Sequence, residues 1–222
     1  ALRERDPKNR LLARMTRQRL PSWMIRDQAL FISGLLVEKR GGPSVKSYQP
    51  AGVWAEATFG KKKYTRGKGE DLYRRSLYTF WRRIIGPTMF FDESKRQICE
   101  VRRARTNTPL HALIILNDTT YIEAARALAQ RALKEADAND PARVTHAFRL
   151  ATARPPKPAE RAILLQRLNQ LRATYAKDPK AAQALLAVGE FKRDEKLNAT
   201  DHAAYTVLCN LILNLDEVIT RE

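Results

Sequence analysis

From residue 117 to the C-terminus, apolar residues recur at intervals of three and four, and each interruption falls at a helix-start signal. That pairing confines half of the chain to helices joined by short loops. Asn117 or Asp118 is placed to cap a helix running to about Lys134, with Ile122, Ala125, Leu128, Ala129 and Leu133 on one face. Asp140-Pro141 opens the next, because proline at the first helical position gives up an N–H that would lack a partner anyway. Its buried stripe is Val144, Ala147, Phe148 and Ala151. Pro158 opens a helix carrying Leu164, Leu168, Leu171 and Tyr175, and Asp178-Pro179 a shorter one ending near Gly189. A final helix carries Leu208, Leu211, Leu215 and Val218.

The first half reads differently. A short basic helix is expected over 10–17, and Ser22 caps a helix from Trp23 to about Lys39, closed by Gly41-Gly42-Pro43. That helix is apolar almost all round, so Arg26 and Asp27 stand where charges are costly unless paired. From 41 to 105 the helical period is lost. Seven glycines and interleaved aromatics mark a loop-rich segment with room for short strands, and 75–81 fits strand or helix equally well. The fold class expected is mainly α: one domain over 1–222, with a motif-rich half at 1–106 and a helical half at 107–222.

Charge follows the same division. Residues 1–110 hold 25 Lys and Arg against 10 Asp and Glu, a balance of +15 within a total of +17. Such a bias suits a polyanionic partner or a solvated basic surface. Lys61, Lys62, Lys63, Arg66 and Lys68 mark an exposed loop. With 44% apolar residues, the chain can build a true core, and no apolar run is long enough to cross a bilayer. The chain opens Ala-Leu-Arg-Glu, without an initiator Met or an apolar leader, as expected of a processed chain or a fragment. Two cysteines, Cys99 and Cys209, form no CxxC or Cys/His cluster, so neither a metal site nor covalent haem is expected in this piece. Their pairing in an oxidising compartment is left open by the spacing.

Several strings are more specific than composition. They include Asp6-Pro-x-Asn-Arg-Leu-Leu-Ala-Arg14, Ile25-Arg-Asp27, Gly41-Gly-Pro-Ser44 and Asp71-Leu-Tyr-Arg-Arg-Ser-Leu-Tyr-Thr-Phe-Trp81. Phe91-Asp92, Cys99-x-x-Arg-Arg-x-Arg-Thr-Asn-Thr-Pro-Leu110, Leu116-Asn-Asp118 and Leu213-Asn-Leu-Asp-Glu217 follow in order. Together they resemble domain-of-unknown-function family 1553, a C-terminal domain of large exported proteins of Planctomycetes and Verrucomicrobia. His111 departs from that pattern, which has Gln there. The resemblance implies a periplasmic or otherwise extracytoplasmic location, a fragment of a longer chain, and a neighbouring domain carrying haem c. It implies no reaction.

Two arginine constellations are candidate anion sites, since a guanidinium fork matches carboxylate, sulfate or phosphate. One is Arg74 and Arg75. The other is Arg102, Arg103, Arg105, Thr106 and Asn107, just before a helix start at which Thr106 or Thr108 caps and Pro109 fits the first turn. Against the anion reading stands structural ion pairing among Arg26, Asp27, Asp71 and Asp92. No GxSxG, P-loop, HExxH or GxGxxG occurs, and His111, His146 and His202 read as structural, His202 being expected at the surface. No catalytic residue is assigned. The leading expectation is a binding or structural module with an arginine-rich site for anionic polysaccharide. The competing one is a polysaccharide-acting enzyme domain with redox chemistry supplied by a haem neighbour. Nucleic acid is a lesser partner, behind glycans and other domains of the same protein.

Overall fold

The computed structural model describes residues 2–82, 85–94, 98–101 and 106–221. Its elements in order are α1 (Leu2–Arg5), β1 (Gln18–Arg19), α2 (Ser22–Ser33), α3 (Val53–Ala57), α4 (Pro109–Asn117), α5 (Thr119–Glu135), α6 (Asp140–Thr152), α7 (Pro158–Lys177), α8 (Pro179–Leu186), α9 (Ala199–Leu213), α10 (Asp216–Ile219) and β2 (Thr220–Arg221). The fold is mainly α. Its sheet among the described residues is the antiparallel pair β1–β2, which ties the two ends of the chain together.

The helical half follows its start signals, but the final helix expected to carry Leu208 through Val218 is broken after Leu213 into α9 and α10. Asp118, Asn139, Asp178 and Asn198 each accept a backbone N–H from the first turn of α5, α6, α8 and α9. α5 is the central rod. Ala124, Ala125, Ala129 and Ala132 are buried on it, and small side chains let α9 and α2 approach closely. The core runs from Ile25, Ala29 and Ile32 of α2 through Leu128 and Leu133 to Leu208, Cys209 and Ile212 of α9. α6 and α7 close it with Val144, Ala147, Leu168 and Leu171.

Three expectations for the first half are corrected. The segment 10–17 is not helical, because side chains capture its backbone: Asp6 accepts from the N–H groups of Arg10 and Leu11, at 2.9 and 2.8 Å, and Asn9 donates to the carbonyl of Arg14. α2 ends at Ser33 rather than near Lys39. Gly34 takes φ 78°, and its N–H and that of Leu35 return to carbonyls of the last turn. The apolar residues beyond it are not helical. Leu35, Leu36 and Val37 pack instead with Leu30, Tyr48, Leu72 and Tyr73 in a second core. Residues 75–81 are neither strand nor α-helix. A single 3-10 turn, Ser76–Tyr78, lies between isolated bridges of Arg74 with Val37 and Thr79 with Val45.

Candidate functional site

Arg26 is wholly buried and organises the site from below. It donates to the carbonyls of Leu72 (2.8 Å) and Arg74 (2.9 Å) and to Ser76 Oγ (3.2 Å), while Asp27 Oδ1 stands 3.5 Å away. Asp27 Oδ1 in turn accepts from the N–H (2.8 Å) and Oγ–H (2.7 Å) of Ser76. Burial pulls the Arg26 guanidinium below its usual range, and Asp27 counters that shift. Carbonyls and a hydroxyl of residues 72–76, rather than an opposite charge, thus link α2 to the irregular segment.

Above this knot lies a cavity of about 350 Å³ lined by Trp23, Asp27, Arg75, Ser76, Leu77, Thr79, Trp81, Phe90 and Glu93. Trp23 and Asp27 are four apart on α2 and so share a face. Trp81 stacks on Phe90 with centroids 5.8 Å apart. A Cβ at Gly86 would come within 2.9 Å of the indole, so only glycine lets Trp81 lie flat there.

Beside the cavity, Phe91 and Asp92 anchor a second cluster. Asp92 accepts from Arg19 and from the N–H and Oγ–H of Thr106, both at 2.7 Å. Burial opposes ionisation of Asp92, yet the Thr106 donors and Arg19 hold it below the usual carboxylate range. Arg19 also donates to His111 Nδ1. Because arginine can only donate, Nδ1 must accept and the ring proton sits on Nε2, 3.8 Å from Asp92. His111 stacks on Phe91 at 4.2 Å and joins Thr108 in the capping box of α4. Burial, then Arg19, lowers its pKa. With its Nδ1 engaged by Arg19 and by the Thr108 N–H and its ring stacked on Phe91, this histidine is a lock between β1, residues 91–92 and α4, not a free base.

The sequence-predicted residues are thus dispersed. Arg74 is 3% exposed and turns its two terminal nitrogens to the carbonyls of Lys39, Gly41 and Pro43 while stacking on Tyr78 at 3.9 Å, which leaves no exposed fork for an anion. Arg75 is exposed and reaches the cavity. Arg102, Arg103 and Arg105 lie outside the described residues. Thr106 is held by Asp92, and together with Asn107 it lines a separate hollow of about 440 Å³ beside Arg17 and Arg19. Of the four ion-pair candidates, Arg26 meets Asp27 and Asp92 meets Arg19. Asp71 sits exposed in a 3-10 turn and makes no ion pair among the described residues.

His202 corrects the surface expectation. It is wholly buried on α9, bonded through Nε2 to the carbonyl of Arg126 at 3.1 Å, and burial lowers its pKa. Cys99 is exposed, Cys209 is buried, and both are free thiols. No group of three or more His, Cys, Asp or Glu among the described residues can hold a metal ion, and no described helix is long and apolar enough to cross a membrane.

Trp23 and Glu93 were not legible as site residues. The available signal was the four-residue spacing of Trp23 and Asp27 on one helix face. Three of the interleaved aromatics form a small cluster instead: Trp54 stacks on Tyr64 at 5.2 Å and on Phe80 at 6.1 Å, with Lys46 and Arg82 over the rings.

No curated protein and no solved structure matches this chain. A family model described as "Protein of unknown function (DUF1553)" matches residues 1–168. That match covers α1 to α6, the cavity and the Arg19–Asp92–His111 cluster, so the chain belongs to the DUF1553 family.

Proposed function

We propose that this chain is an extracytoplasmic binding module that takes a sugar ring in the cavity between α2 and residues 75–81, with a preference for anionic glycans. One observation carries the reading: the flat Trp81 face, backed by Phe90 and given room by Gly86, lines the same hollow as Arg75 and Glu93. An aromatic face stacks on the apolar side of a sugar, a carboxylate accepts from its hydroxyls, and a guanidinium meets a uronate or sulfate. The exposed lysines at 61–63 add diffuse, salt-sensitive attraction. On this reading haem c belongs to a neighbouring domain of a longer protein.

Calorimetric titration with a uronic-acid oligosaccharide and its neutral counterpart tests it. Trp81→Ala should abolish binding of both sugars. Arg75→Gln should remove only the preference for the acid, and Lys61→Ser/Lys62→Ser/Lys63→Ser should flatten the salt dependence while keeping the preference. Absence of binding to either sugar, or equal affinities for wild type and Trp81→Ala, would overturn it.

A second reading, an enzyme acting on polysaccharide, draws on the presence of two carboxylates, Asp27 and Glu93, in one cavity. Binding is favoured because Asp27 Oδ1 is already engaged by Ser76 and Arg26, which makes it a poor proton acceptor. Turnover of a polysaccharide that is lost in Glu93→Gln while binding persists would reverse that preference.

A further inference from the structure

On α5 lies a buried cation whose neighbouring carboxylate takes its hydrogen bonds from other groups, all through one oxygen, while Glu123 Oε2 meets no donor among the described residues. Glu123 is fully buried, and its Oε1 accepts from the hydroxyls of Tyr73 (3.0 Å) and Tyr48 (3.3 Å) and from the N–H groups of Glu190 (2.5 Å) and Phe191 (2.6 Å). Arg126, one turn later and 2% exposed, stands 3.8 Å from that same oxygen, too far for a hydrogen bond. It donates to the carbonyl of Phe191 at 2.6 Å, and among the described residues its buried Nε meets no acceptor. Burying a guanidinium with an unfilled donor is costly unless something else completes it.

Arg126 forms the floor of a hollow of about 710 Å³ whose walls include Arg193, Lys192 and Gln183. Arg193 is half-buried, and its contact with the carbonyl of Leu197 is long, at 3.4 Å. Burial lowers the pKa of Arg126, Glu123 opposes that shift, and Arg193 adds to it, which places two like charges at one hollow. Two carboxylates also line the hollow. Glu190 is turned away, accepting from the N–H of Gly69 (2.6 Å) and facing Arg66 (3.3 Å), and Glu195 stands exposed at the rim. The wall is rigid: Gly189 takes φ 85°, and a Cβ there would fall 2.3 Å from Glu123 Oε1. The hollow thus offers an excess of guanidinium donors in a fixed frame.

We propose that this hollow is a second ligand site, which holds an oxyanion (carboxylate, sulfate or phosphate) between Arg126 and Arg193, with Lys192 at its mouth. The anion would fill the open donors of Arg126 and relieve the repulsion between the two guanidinium groups. The site is separate from the cavity between α2 and residues 75–81 and does not depend on sugar binding there.

The test is titration of the 222-residue chain with sulfate, phosphate and acetate at constant ionic strength, following thermal unfolding and heats of binding. A sulfated monosaccharide forms a further arm, to separate a free inorganic anion from one carried on an organic body. At least one of the anions should give a saturable rise in Tm beyond that of chloride at equal ionic strength. Arg193→Gln, at a half-exposed position, should weaken that binding about tenfold or more. Trp81→Ala and the triple lysine variant should leave it unchanged. Arg126→Lys should also lose it, and if that variant fails to fold, Arg193→Gln decides alone. Equal effects of chloride and all three oxyanions, or an unchanged affinity in Arg193→Gln, would overturn the proposal.

Discussion

Arg26 and Asp27, adjacent on α2, hold the same residue from two sides: the guanidinium reaches Ser76 Oγ at 3.2 Å, and the carboxylate accepts from Ser76 N–H and Oγ–H at 2.8 and 2.7 Å. Two neighbouring charges thereby fasten the 72–76 backbone to the central helices and set one wall of the candidate cavity. Removing Asp27 leaves a buried guanidinium without its counter-charge. Asp27→Ala should therefore cost about 3–5 kcal/mol by urea unfolding. Arg26→Met/Asp27→Ala together should cost less than the sum of the two single changes, because they act in one network. Strict additivity would mean that the pair is not coupled.

Leu168 is fully buried where α7 meets the core and has no polar role to confuse its loss. Leu168→Ala should cost about 2–5 kcal/mol, from lost transfer energy plus the cavity left behind. Chemical denaturation with an unchanged m-value checks it. A loss below about 1 kcal/mol would show that the site collapses freely around the smaller side chain.

His111 and His202 both have pKa values below the ordinary imidazole value of 6.5, burial being the first cause in each case. The unfolded chain therefore takes up protons that the folded chain refuses. Stability tied to these histidines is present above about pH 6.5 and is lost as pH falls below it. Asp92, held below its ordinary 3.8, extends the loss in the same direction at lower pH. His111→Gln keeps a side chain able to complete the capping box with Thr108. It should match wild type within about 1 kcal/mol near pH 8 and lose less stability between about pH 7 and pH 5. Identical pH profiles for variant and wild type would show that His111 does not titrate between the two states.

The helical half was legible because its information is local. Asp118, Pro141, Asp178 and Pro158 act within one turn of where they stand, and the stripe of Val144, Ala147, Phe148 and Ala151 is buried as its period requires. The family resemblance, carried by ordered strings, was likewise readable without any contact. Composition and charge asymmetry named a basic first half but not where its arginines point. Tertiary structure decided that. Arg74 faces inward to three carbonyls while its neighbour Arg75 faces the cavity, because the bridge from Arg74 to Val37 sets which residue turns in. The end of α2 at Gly34 rather than near Lys39 was also decided there. A second core was waiting for Leu35, and Arg131 lies against Gly34, so burial outweighed helix propensity. A position near a helix start predicts His202 at the surface, yet α9 rolls that face onto Arg126. Hydrogen-bonding partners 46 to 76 residues away in the chain (Leu72 for Arg26, Arg126 for His202) leave no periodic trace, so only the folded contacts reveal them.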